Sequence, residues 1–297
     1  MFTTGPTSVS PTPAHLAAGL AAAYLPEDGP TLRLFLDEVR ARSSPHTNGI
    51  PTPGSSGRAT QSVSSCQWGR LRCGCAFFDL IRQLPEISVV RDRCRSMAML
   101  DAILSPEWQY RYFSFDSRWL PAEEMASMRD GSGNEYSIVF SPAGAYARGF
   151  DHESPMTPYR VTPPAPWPGL LDGVPEAFRA QVAEPAFSDD GTPRATVCFW
   201  REQADTAWRA GAVEPLPEGV EDDGSAGGLF GVLLDGRPEA YQRFAEDYYD
   251  VAVDIVAVRH VYALRPLTQG IVSLLNPEVD ISGLAEDLAQ AGYPVQE

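Results

Sequence analysis

MASMRDGSGNEYSIVFSPAGAYARGF, residues 125–150, is the stretch on which the fold turns. Two runs rich in aromatic and β-branched residues, Glu135–Phe140 and Ala145–Phe150, are separated by Ser141-Pro142-Ala143-Gly144. A shorter run, Met125–Arg129, precedes them across Asp130-Gly131-Ser132-Gly133-Asn134. Gly, Asn, Asp and Pro supply the positive φ angles and preset bends that tight connections need. Strand-forming runs divided by such residues predict an antiparallel meander. The Met125–Arg129 run also reads as the end of a helix.

Working upstream, Trp108, Tyr110 and Tyr112 alternate with Gln109, Arg111 and Phe113, a strand pattern with both faces partly apolar. Residues 116–124 read as the connection that follows it. From Glu86 to Leu104, the residues Ile87, Val90, Cys94, Met97 and Leu104 recur at helical spacing, and Ser105-Pro106 stops the run. Downstream, Pro155–Pro168 holds six prolines and reads as a fixed connection. A helix near Pro175–Val182 and strands at Ala195–Trp200 and Leu229–Leu234 are expected next. From Pro238 the period is helical, with Tyr241, Phe244, Ala245 and Tyr248 on one face. Further helices are expected over Asp254–Leu264, after Thr268, and from Asp280 or Ser282 to Gly292. The expected class is α+β: a mostly antiparallel meander sheet flanked by helices, with one main core and a partly disordered amino-terminal segment. The expected organisation is a tail with short helices over 1–42, a low-complexity linker over 43–75 and an acidic domain over 76–297.

Charge narrows the function classes. All 23 basic residues are arginine, and the net charge is −16. Residues 1–96 hold ten arginines against seven acids, whereas residues 97–297 hold thirteen against thirty-two. A surface of that sign repels phosphate backbones and anionic lipid, so neither nucleic acid nor membrane is an expected partner. The absence of lysine excludes Schiff-base, pyridoxal-phosphate and Walker-type phosphate chemistry. The apolar segment His15–Leu25 is too short to span a bilayer, and no arginine precedes Arg33 to form a basic leader. The expected location is cytoplasmic.

Three groups of residues are candidates for chemistry or recognition. Cys66, Cys73, Cys75 and Cys94 are spaced C-x6-C-x-C with a distant fourth, unlike the paired C-x2-C of a zinc ribbon, so no metal and no cofactor are expected. Asp151-His152-Glu153 follows a strand end and contains a base beside two carboxylates. Neighbouring residues point in different directions, so a charged turn is the plainer reading. His260 sits among Val258, Val261 and Tyr262, as a hydrogen-bonded core histidine would. The aromatic residues Trp108, Tyr110, Tyr112 and Trp119 are candidates for a binding platform. The acids Glu218, Glu221, Asp222 and Asp223 are candidates to attract a basic partner.

From about Phe78 onward the chain resembles a group of uncharacterised proteins from high-GC bacteria. The resemblance rests on Arg91–Ser105, on Met125–Pro155 with its Arg-Asp-Gly-Ser-Gly and Gly-Phe-Asp-His-Glu-Ser-Pro strings, and on Gly236–Asn276. It imports no activity. In its acidic, aromatic character the chain is loosely similar to bacterial toxin-immunity proteins of the SMI1/KNR4-like kind. The expected function is therefore a non-enzymatic interaction module, an immunity or antitoxin-like inhibitor of a basic partner protein. The alternative is a small hydrolase or metal-assisted enzyme built on Asp151, His152 and Glu153.

Overall fold

The computed structural model describes residues 81–217, 220 and 225–295. The expected tail (1–42) and linker (43–75) lie outside the described residues. Helix α1, Ile87–Leu104, follows the helical spacing of its apolar residues. It ends where Pro106 disfavours helical geometry at Ser105, whose N–H bonds back to the Asp101 carbonyl at 2.8 Å. A 3₁₀ turn over Trp108–Tyr110 then leads into the sheet.

The meander has four strands: β1 Phe113–Leu120, β2 Glu123–Arg129, β3 Glu135–Ser141 and β4 Gly144–Phe150. A small hairpin follows, β5 Ser188–Asp189 with β6 Thr192–Pro193. Then β7 Val197–Glu202 and β8 Arg209–Ala210 complete the main sheet, with strand order β1-β2-β3-β4-β7-β8 and every pair antiparallel. The helical remainder is α2 Arg179–Val182, α3 Ala226–Asp235, α4 Pro238–Tyr249, α5 Ile255–Tyr262, α6 Gln269–Leu275 and α7 Ala285–Ala291.

Side-chain alternation explains the layers. Phe113 and Phe115, Ala126 and Met128, Tyr136 and Ile138, and Val197 and Phe199 point from successive strands into the main core. Helix α1 packs against β1 and against α5, α6 and α7, and every residue from Met97 to Ile103 is buried. The opposite faces of β4 and β7 are covered as well. Tyr146, Cys198 and Trp200 pack with Met156 from the proline-rich connection and with Leu170, Val174 and Phe178 from the segment that follows it. Strand β4 is consequently buried on both faces along its whole length.

Two expectations are corrected. Trp108–Tyr110 is a turn, and the strand runs later, through residues expected to be a connection. The chain has to reverse between the end of α1 and β1, and Asp101 fixes that reversal by accepting the N–H groups of Tyr112 and Phe113. Leu229–Leu234 is the core of α3, not a strand. A short apolar run does not distinguish the two by period. Leu229, Phe230 and Leu233 are buried, the one-face spacing of a helix. That helix rides so close to β4 that a Cβ on Gly149 would stand 2.8 Å from Leu229 Cδ1.

The Met125–Arg129 run is a strand; Thr268 and Gly292 cap as expected, whereas Asp280 caps a 3₁₀ turn over Ile281–Leu284 and α7 starts only at Ala285. The Asp254 side chain accepts from Val256 and Ala257 at the start of α5, and Thr268 accepts from Ile271 at the start of α6. Gly292 closes α7 in the left-handed region.

A close approach at Gly169 gives one stability prediction. Its φ is +80°, and a Cβ there would lie 2.0 Å from the Ala212 carbonyl oxygen. Gly169→Ala is expected to cost about 2 kcal/mol through backbone strain and displacement. In a domain of this size that lowers Tm by roughly 5 °C. Thermal unfolding followed by circular dichroism checks it; an unchanged Tm would contradict the packing described.

Candidate functional site

The aromatic residues gather where α1, β1 and α4 meet. Tyr112 lies just before β1, and its ring is 4.6 Å from Phe244 and 4.8 Å from Tyr248, both on α4. Phe244 stacks on Tyr248 at 5.5 Å, and Tyr248 meets Tyr249 edge-on at 4.9 Å. Tyr110 is 55% exposed and Tyr248 41%. The Arg129 guanidinium sits 4.4 Å over the Trp108 ring, and the Arg129 N–H donates to the Tyr112 carbonyl at 2.9 Å. Arg111 braces the turn that carries these rings. It donates to the carbonyls of Ser105 and Pro106 and forms a 2.5 Å ion pair with Asp287 on α7.

Acids border the face. Glu107, Asp247 and Asp250 are exposed neighbours of these rings in the chain, and Asp130 follows Arg129. Burial pushes the Tyr112 phenol up to about 12, with Asp130 adding to the shift, so it is a neutral donor at physiological pH. Burial alone would raise the Asp130 carboxyl. Hydrogen bonds from Ser132 and Asn134 outweigh it and hold Asp130 below its ordinary value.

Of the expected platform, Trp108 and Tyr112 are joined through Arg129, Tyr110 is exposed on the turn between them, and Trp119 is remote. It lies six residues beyond Phe113, about 20 Å along an extended strand. Glu218, Glu221, Asp222 and Asp223 lie outside the described residues.

Asp151, His152 and Glu153 form a turn. The Asp151 carboxylate accepts the Glu153 N–H at 2.8 Å, while His152 pairs through Nδ1 with the Asn134 side-chain oxygen at 2.9 Å. The other described histidine, His260, is half-buried and bonds the Pro266 carbonyl at 3.0 Å. His152 does line a shallow cleft of about 530 Å³ with Phe150, Tyr159, Arg160, Asp189 and Arg194. Its polar groups are engaged with one another. The Tyr159 hydroxyl donates to Asp189, and Arg160 donates to the carbonyls of Thr157, Ala165 and Pro166. Among the described residues, no group of three or more His, Cys, Asp or Glu side chains is placed to hold a metal. Cys94 and Cys198 are buried free thiols, and burial pushes Cys198 up to about 12. Cys66, Cys73 and Cys75 lie outside the described residues.

Sequence reasoning missed two polar groups, one buried and one half-buried. Asp101, on α1, is 0% exposed. Its carboxylate accepts four hydrogen bonds: from Tyr112 N at 2.9 Å, Phe113 N at 2.7 Å, Tyr241 Oη at 2.5 Å and Tyr249 Oη at 2.7 Å. Burial raises this carboxyl and the four donors pull it back, leaving it at about 6. The signal in the sequence was a lone acid within the otherwise apolar end of a helix. The second group is Glu135, which takes Arg148 and Arg194 at 2.6 Å each. Burial would raise Glu135, but the two guanidinium groups outweigh it and hold the carboxyl below its ordinary value.

The fold and the face together define an α+β protein with an aromatic, acid-bordered surface and a self-paired polar cleft. Comparison with family models, curated proteins and solved structures finds no match. No helix among the described residues is long and apolar enough to cross a membrane.

Proposed function

We propose that this chain is a non-enzymatic interaction protein that presents the Trp108–Tyr110–Tyr112–Tyr248 face to a basic partner protein. The observation that carries the reading is Arg129 over Trp108. The face already holds one guanidinium against an indole, so a partner's arginines find rings of the same kind beside it. The half-exposed Tyr110 and Tyr248 add apolar area with polar tips, the side-chain type that anchors protein interfaces. The surplus of acids over arginines beyond residue 96 favours association with a positively charged surface and disfavours anionic ones. An immunity or antitoxin-like inhibitor acting in the cytoplasm is the role that this combination suits.

The Asp151-His152-Glu153 alternative has less behind it, since His152 is oriented by an amide and Asp151 by its own turn. The test is titration of the full chain with octa-arginine, read by tryptophan fluorescence and calorimetry. The double variant Trp108→Ala, Tyr110→Ala is expected to bind at least tenfold more weakly, in line with the loss of about 2 kcal/mol at an aromatic anchor. Affinity should also fall with salt, because exposed charges contribute. An unchanged affinity in the double variant would refute the assignment of this face.

A further inference from the structure

Asp101 is unusual for a buried carboxylate, because the described residues pair it with no cation. Buried charges are ordinarily paired or they neutralise. The groups facing it are phenols: Tyr112 before β1, Tyr136 on β3, Tyr241, Tyr248 and Tyr249 on α4, and Tyr262 on α5. Charged groups share these tyrosines with it. Asp130 does so at Tyr112 and Tyr248, and Arg93 and Asp235 at Tyr262. Cys94, also beside Tyr262, is held as a neutral thiol by burial.

The four bonds are not equivalent. Oδ2 takes the two backbone N–H groups and the Tyr249 hydroxyl, while Oδ1 takes Tyr241 alone. One carboxylate thus holds the entry of β1, which carries Tyr112, against both ends of α4, whose last turn carries Tyr248 and Tyr249.

We propose that Asp101 is the positioning residue of the aromatic face, and that its protonation, with the carboxyl still buried and the domain still folded, loosens the hydrogen-bonded lock between the β1 entry and α4, tying partner binding to pH. The inference rests on the reading of that face as a binding surface. A proton is taken up most readily at Oδ1, the oxygen with a single donor. Once there, it turns the Tyr241 bond around and leaves the Tyr241 proton seeking another acceptor in a fully buried site. Burial places this titration near pH 6.

The test uses the full chain and two variants, Asp101→Asn and Tyr249→Phe. Octa-arginine affinity of the wild type is expected to fall about fivefold or more from pH 7.5 to pH 5.0. Asp101→Asn should be weaker at both values and flat between them, whereas Tyr249→Phe, with one donor fewer to the carboxylate, should shift the midpoint upward. A pH dependence in Asp101→Asn equal to that of the wild type overturns the proposal. If Asp101→Asn does not fold, an unmoved midpoint in Tyr249→Phe overturns it.

A readout without the probe separates this proposal from the binding reading. The amide resonances of Tyr112 and Phe113 should titrate with one shared midpoint near pH 6, because both N–H groups donate to Oδ2. Octa-arginine that fails to bind at any pH defeats the binding reading alone. Amide resonances that stay fixed between pH 4.5 and 7.5 defeat the proposal whether or not the probe binds.

Discussion

Asp101→Ala is expected to destabilise the fold by about 4 kcal/mol, enough to leave a marginal domain largely unfolded at 37 °C. The arithmetic is that four buried donors lose their acceptor, at about 1 kcal/mol each even at the lower end of the range. Total stabilities of ordinary domains are only about 5–15 kcal/mol. Two of those donors are backbone N–H groups at the start of β1, so the loss falls on the junction of α1, β1 and α4.

The pH dependence carries a definite sign. The folded-state carboxyl titrates at about 6 against an ordinary 3.8, so the folded chain holds this proton more tightly than the unfolded one. The stabilisation linked to Asp101 is complete below about pH 4 and declines as the pH rises to about 6. The decline amounts to roughly 3 kcal/mol, at about 1.4 kcal/mol per pKa unit. Urea denaturation of wild type and Asp101→Asn between pH 4 and 7 measures this as a difference in slope. Parallel curves would show that the carboxyl is not perturbed.

The second large effect is expected at Glu135→Gln. Arg148 is 3% exposed, and Glu135 supplies its charge partner while also holding Arg194. Removing that charge leaves a buried guanidinium with neutral partners alone: the Ser137 hydroxyl, the Arg194 carbonyl, the Phe187 ring and the new amide oxygen. Breaking a buried pair in this way costs about 3–5 kcal/mol. Here the pH sign is the reverse of that for Asp101. Glu135 titrates below its ordinary value of 4.5, so its contribution is present above that pH and is lost on acidification through the depressed value. Chemical denaturation at pH 7 and at a series of values falling below pH 4, through the depressed range, separates the two. The Glu135→Gln deficit should shrink at the lower values, and a deficit that stays constant would mean that charge is not what the site depends on.

Most of the fold was legible from local pattern, because α1 and the meander combine a clear period with turn residues at their ends. Caps at Thr268 and Gly292 were equally readable, since each acts on its own neighbours. The failures are instructive for the same reason. Leu229–Leu234 is apolar enough for either state, and what shows it as a helix is the one-face burial of Leu229, Phe230 and Leu233 against β4. Trp108–Tyr110 alternates like a strand, but a reversal imposed by Asp101 makes it a turn.

The site was half visible. Aromatic residues near position 110 stood out, yet Tyr248 and Tyr249 join them from more than 130 residues away. The Asp101 bonds to Tyr241 and Tyr249 span 140 and 148 residues, and Arg194 reaches Glu135 across 59. Such pairings leave no periodic trace.

The aromatic face, and not the His152 cleft, is the surface proposed to receive a basic partner. The measurement that addresses it most directly is residue-resolved nuclear magnetic resonance of the full chain during addition of octa-arginine. Shifts concentrated at Trp108, Tyr110, Tyr112, Arg129 and Tyr248 are predicted. Shifts centred on His152, Tyr159 and Arg194 instead would contradict the account.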